Sequence, residues 1–179
     1  MPLSVSSVRL AAHGLILREW ENADLPAMVE LFDEPDVADR TPLPSPFDIG
    51  AAREYLEMIH RTRAEGRRLH LAITTDGHNP LGEVLLSLSS GAMGYGVGCA
   101  HRGQRLAVRA AQLLTDYAHQ VLELPRVVLE IEADNAPSVA VARRLNFRLT
   151  NDEPQRIEGK GRSLVLQTWA HDVPVRPDH

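Results

Sequence analysis

Three groups of residues in this chain are of types that do chemistry. The first is a basic stretch, His101-Arg102-Gly103-Gln104-Arg105-Leu106-Ala107, with Arg109 just beyond it. It lies where the pattern marks a strand running into a helix. The free N–H groups and dipole of a helix start attract anions there, and guanidinium groups add charge. The same arginines equally form a solvated helix face. The second group is Asn135-Ala136-Pro137-Ser138, in which Pro137 suits a first helical turn and Asn135 and Ser138 are good caps. The third is a set of proton acceptors on strand-like segments: His70, Glu83, Glu130 and Glu132. Glu130 and Glu132 alternate with Leu129 and Ile131 and so share a face. That face either borders a cleft, making a general base available, or meets solvent. His70 reads as a base or as a core histidine.

The elements that must position these groups follow from periodicity and punctuation. Leu15–Trp20 reads as a strand. Asp24 is expected to cap a helix carrying Leu25, Met28, Val29 and Phe32, with Pro35 ending it. Pro42, Pro44 and Pro46 make a stiff connection, after which Asp48 caps a second helix through about Arg63 with a stripe of Ala52, Tyr55, Leu56 and Ile59. Leu69–Ile73 alternates as a half-buried strand, and strands follow at 82–88 and 93–99. Gly94, Gly96 and Gly98 fit a bulged or closely approached strand bearing Tyr95. Gln104–Leu122 is the longest helical pattern. Strand 126–132, helix 138–145 and strand 163–169 complete a single mixed α/β domain over 1–179, with a core of about 15–170. Residues 1–7 and 173–179 read as loose ends.

Composition narrows the function classes. The 179 residues are 44% hydrophobic and 24% charged, ordinary globular values, and the formal charge of −5 argues against general nucleic-acid binding. Lys160 is the only lysine among 19 basic residues. A lone Cys99 excludes an internal disulfide, and neither a signal peptide nor a membrane-length apolar run is evident, so a cytoplasmic protein is expected. No tight metal-ligand spacing and no GxSxG or Cys-His nucleophile pattern occurs.

Taken together, Tyr95, the Arg102–Ala107 loop, Asn135–Ser138 and Leu145-Asn146-Phe147 resemble the core of the GNAT acyl-CoA-dependent N-acetyltransferases, most closely the RimJ/RimL-like branch. The resemblance implies a central mixed, mostly antiparallel sheet with flanking helices. It implies acetyl-CoA as cosubstrate, no metal, and direct attack of a primary amine, from a peptide N-terminus or a small molecule, on the bound thioester. It places the cofactor along Val97, Arg102, Gly103, Gln104, Arg105, Leu106, Ala107, Asn135 and Ser138, with the backbone near Val97 stabilising the oxyanion. Ser138, Glu83 and Glu132 are the catalytic candidates. A homodimer is common in such proteins.

Three departures from the family pattern stand out. Arg105 replaces a glycine of the phosphate loop: it either obstructs the phosphates or adds charge beside them from an ordinary helical backbone. Asn146 replaces a second glycine, and asparagine is the next-best residue for a left-handed cap. Ala142 stands where many members carry a tyrosine acid, which leaves Ser138 to assist the thiolate. These departures sustain a rival reading, a catalytically silent acyl-CoA-binding or regulatory module. Cys99 as an acyl carrier is a weaker alternative. The segments around residues 23–65, with Trp20, Phe47, Arg53, Tyr55, Asp33, Glu34 and Asp36, are expected to shape the acceptor groove.

Overall fold

The computed structural model describes residues 6–174, so most of both expected loose ends lies outside the described residues. Within them, β1 (Arg9–Ala12), β2 (Leu15–Glu19), β3 (Arg68–Thr74), β4 (Gly82–Ser87), β5 (Ala92–Val97), β6 (Arg126–Glu132), β7 (Arg148–Leu149), β8 (Gln155–Gly159) and β9 (Arg162–Asp172) form one sheet. Its order is β1-β2-β3-β4-β5-β6-β9-β7, with β8 also on β9. Every described pairing is antiparallel except β5 with β6. The helices are α1 (Leu25–Phe32), α2 (Pro35–Arg40), α3 (Ile49–Ala64), α4 (Leu106–Gln120) and α5 (Ala136–Arg144).

Two apolar cores lie on the two faces of this sheet. Leu69, Leu71 and Ile73 of β3 join Val84, Leu86 and the buried side of α4 and α5 in the larger one. The alternate residue Ala72 points the other way, into a cluster of Trp20, Met28, Phe32, Phe47, Leu56 and Ile59 under α1 and α3. The result is a helix–sheet–helix sandwich. β3 is therefore buried on both sides from Leu69 to Thr74 rather than half-buried as its alternation suggests, because helices cover it front and back.

Local chemistry explains most boundaries and corrects two. Asp48 caps α3 as expected, accepting from the Ala51 N–H at 2.9 Å. Asp24 precedes α1 but does not cap it with its side chain. Its carboxylate instead takes Arg18 Nη1 and Nη2 at 2.8 and 2.9 Å in a buried bidentate pair. Pro35 does not merely close a helix; it opens α2 at a first-turn position, where its missing N–H is no loss. Asn146 takes φ +63 after α5, the left-handed cap its side chain tolerates.

Candidate active site

β5 and β6 share only the Ala92–Val128 and Met93–Leu129 positions. Beyond Met93 they part: β5 stays with β4 as far as Val97, while β6 stays with β9 as far as Glu132. The Gly98 N–H donates to Leu81 O at 2.9 Å. Strand alternation therefore turns the Val97 N–H to the opposite edge, into the gap. Gly94–Gly98 and Leu129–Ile131 line the resulting cleft of about 490 Å³. Gly82 holds β4 against this strand, since a Cβ there would lie 2.4 Å from Gly96 O.

Because the gap passes through the sheet, different chemistry meets it from each face. Glu83 pairs across from Ala72 and so stands on the α1/α3 face with His70. Tyr55 of α3 reaches both: its hydroxyl donates to Glu83 Oε1 at 2.5 Å and lies 3.3 Å from His70 Nδ1. Burial first, then the Glu83 charge, push the Tyr55 hydroxyl well above its ordinary value. It is thus a donor at neutral pH and Glu83 the acceptor. Glu83 Oε2 and His70 Nε2 have no partner among the described residues. A nearly buried carboxylate with one uncommitted oxygen at a cleft wall is equipped to accept a proton.

On the other face, Asn135 and Ser138 open α5 and line the same cleft. Asn135 Oδ1 accepts from the Ser138 N–H at 3.4 Å, so the capping expected from the sequence is present as well. Tyr95, opposite Val84, stands on this face too.

At the end of β5 the chain turns through Cys99–His101 and the exposed residues Arg102, Gly103, Gln104 and Arg105 into α4. Arg105 adopts φ +56, ψ 28, a left-handed backbone and not the ordinary helical one that would have made a glycine unnecessary. No side chain caps α4, and its first internal bond runs from the Arg109 N–H to Arg105 O. The N–H groups of Leu106, Ala107 and Val108 thus lack acceptors within the helix. Open space surrounds Gly103, at φ +86. This cradle of free donors suits a pyrophosphate. Leu106 serves it only through its backbone, as its side chain is buried. The Arg102 side chain is turned to Asp36 at 3.1 Å. Arg109 braces the loop, donating to Gln104 O at 3.1 Å and to His13 O at 2.9 Å.

Several expected residues are placed elsewhere. Glu132 does not line the cleft; its carboxylate lies between Arg40 at 3.4 Å and Arg162 at 3.3 Å. Glu130, its neighbour on that face, does line it. Trp20 and Phe47 are buried in the second core, and Arg53 borders a separate shallow depression with Asn22 and His60. The α1/α3 side of the cleft is walled instead by Leu31, Phe32, Val37, Leu43 and Met58, with the exposed Arg40 and Arg68 at its edge. The Tyr55–His70–Glu83 cluster went unread because its members lie 15 and 28 residues from Tyr55, with no local pattern linking them. Among the described residues no group of three or more His, Cys, Asp or Glu is placed to hold a metal ion.

The profile of the acetyltransferase (GNAT) domain matches residues 14–148. The chain belongs to the GNAT acetyltransferase family. One GNAT relative, the uncharacterized N-acetyltransferase p20 of Bacillus licheniformis, is 27% identical over 90% of this chain and 94% of its own. Among solved GNAT structures, RimL, a ribosomal alpha-N-protein acetyltransferase in complex with coenzyme A, superposes with TM-score 0.77 at 21% identity, covering 93% of this chain and 98% of its own. RimJ of Mycobacterium smegmatis, in complex with coenzyme A disulfide, gives 0.76 at 18%, over 93% and 86%. A Salmonella typhimurium acetyltransferase that modifies the N-terminal serine of a ribosomal-subunit protein gives 0.75 at 20%, over 93% and 99%. At these identities the structures establish the fold alone.

Proposed function

We propose that this protein transfers an acetyl group from acetyl-CoA to the α-amine of a peptide or protein N-terminus by direct attack. One observation carries the reading: a carboxylate with an uncommitted oxygen, Glu83, stands at the wall of the β5–β6 gap, and β5 runs on from that gap through the 99–105 turn to the free N–H groups at the start of α4. In this reading the pyrophosphate rests on the N–H groups of Leu106, Ala107 and Val108 and on the loop from Arg102 to Arg105. The pantetheine arm passes Asn135 and Ser138. The Val97 N–H donates to the thioester carbonyl oxygen and stabilises the charge that develops there on attack. The amine enters between α1, α3 and the 41–43 segment and passes its proton to Glu83. Apolar walls with two arginines at the rim favour a small, uncharged first side chain over a cationic small molecule. The acceptor class is also that named for the RimL and Salmonella proteins.

Calorimetry with coenzyme A, followed by thiol release from acetyl-CoA over peptides beginning with Ser or Ala and a set of small amines, tests this. Binding is expected, with faster release for the peptides. No binding at millimolar coenzyme A overturns the reading. Binding without release from any acceptor identifies a silent module, the outcome that Arg105 and Ala142 would then explain. Glu83→Gln should lower turnover by roughly 10²–10⁴-fold, the scale of a lost general base. An unchanged rate transfers the role to Glu130.

A further inference from the structure

Ala142, at the position where many GNAT members carry a tyrosine acid, is fully buried, and within α5 only Ser138 is left to assist a departing thiolate. The opposite wall of the same cleft offers one. Tyr95 projects from β5 on the α5 side of the sheet and lines the cleft together with Ser138. Ser138 is near enough to bear on the ionisation of the Tyr95 hydroxyl. Even so, that hydroxyl oxygen has no hydrogen-bond partner among the described residues and no contact with solvent. Folded proteins leave few buried polar groups unpaired, because each forfeits its hydration without recompense. A hydroxyl left unpaired at a cleft wall, beside the residue that opens α5, is placed to be completed by a ligand.

We propose that Tyr95 is the general acid of this site, protonating the sulfur of coenzyme A as it leaves, with Ser138 beside it. The inference rests on the acetyl-transfer reading above. The amine nitrogen forms a bond to the acetyl carbon and loses a proton to Glu83. Collapse of the tetrahedral adduct breaks the C–S bond and leaves the electron pair on sulfur. The Tyr95 O–H proton moves to that sulfur, and the phenolate regains a proton from water after the products depart. Glu83 returns its proton to water as the phenolate takes one up, so over the cycle one proton leaves the amine and one arrives on the thiol. Burial raises the phenol above its ordinary value, which keeps Tyr95 protonated at neutral pH and ready to donate.

Tyr95→Phe keeps the ring and removes only the hydroxyl. In the full chain, its coenzyme A affinity by calorimetry should stay within about twofold of wild type. Turnover with the best peptide acceptor should fall by roughly 10²-fold or more, and the decline of kcat at high pH that reports the acid should disappear. Ser138→Ala should cost less and keep that decline. A Tyr95→Phe protein within threefold of wild-type kcat and with an unchanged pH profile overturns the proposal while leaving acetyl transfer standing. So does a variant that loses coenzyme A binding and thermal stability together, which would mark Tyr95 as a packing residue. A wild-type protein that binds coenzyme A but acetylates no amine overturns both.

Discussion

Arg105 concentrates two opposed effects in one residue. A side chain in the left-handed region costs roughly 1–2 kcal/mol, whereas glycine takes that backbone freely. Arg105→Gly should therefore stabilise the fold by about 1 kcal/mol, a rise of roughly 2–4 °C in Tm for a chain of this size. Arg105→Ala keeps the strained backbone and should not stabilise. If the guanidinium adds charge beside the phosphates, both variants should weaken coenzyme A by roughly 1–3 kcal/mol, the scale of charge-assisted bonds. Differential scanning calorimetry and ligand titration read the two effects separately, and a glycine variant with no gain in Tm would refute the backbone argument. What was legible in the sequence was the placement of residues close along the chain: the 102–107 loop running into α4 and the Asn135–Ser138 cap of α5. Which carboxylate faces the cleft was not legible. Glu83 and Glu132 both follow alternating patterns, and only the parting of β5 from β6 and the positions of Arg40 and Arg162 tell them apart.

At the scale of elements, the β8–β9 hairpin clasps the 38–43 segment, which walls the α1/α3 side of the cleft. Its two-residue turn is Lys160-Gly161, both at positive φ, as tight hairpins require. Lys160 Nζ donates to Ala38 O at 2.7 Å and also to Leu43 O. Arg162 donates to Asp39 O at 3.0 Å and pairs with Glu132, which pairs with Arg40 of α2. These contacts are largely exposed, so Lys160→Gln should change stability by less than about 1 kcal/mol. On the proposed acetyl-transfer reading it should raise the KM for the peptide acceptor severalfold and leave coenzyme A affinity unchanged, because Lys160 holds only the 38–43 wall, away from the α4 start. Steady-state kinetics beside a coenzyme A titration checks this; an unchanged KM means that the hairpin does not hold the wall. Long apolar elements such as α3, α4 and β6 were legible because burial imposes their period. β8 was not: every residue in it is exposed, so no hydrophobic alternation betrays it, and only its partner β9 makes it a strand. α2, with no buried residue, escaped for the same reason.

At the scale of the whole molecule, one contact that ties α4 to the far half of the sheet is a pair of histidines. His119 on α4 meets His171 on β9, Nε2 to Nδ1 at 2.9 Å, and the Phe147 ring lies tilted against the His171 ring with centroids 5.3 Å apart. His119 Nδ1 lies 2.8 Å from Leu124 O, which can only accept. Neutral His119 therefore carries its proton on Nδ1, and His171 Nδ1–H donates to His119 Nε2. Burial first, and then the His119 ring, hold His171 below its ordinary value, against an upward pull from Asp116 and Asp172. A base whose folded value is lowered binds fewer protons folded than unfolded. The stability it contributes is present above the unfolded value of about 6.5 and is lost as pH falls below it. The folded protein should thus lose Tm between pH 7 and pH 5, and His171→Gln, which cannot be protonated, should lose less over the same range. Thermal unfolding of both proteins across that interval measures the difference. Parallel curves would show that the carboxylates Asp116 and Asp172 cancel the effect of burial at this seam between α4 and the far half of the sheet.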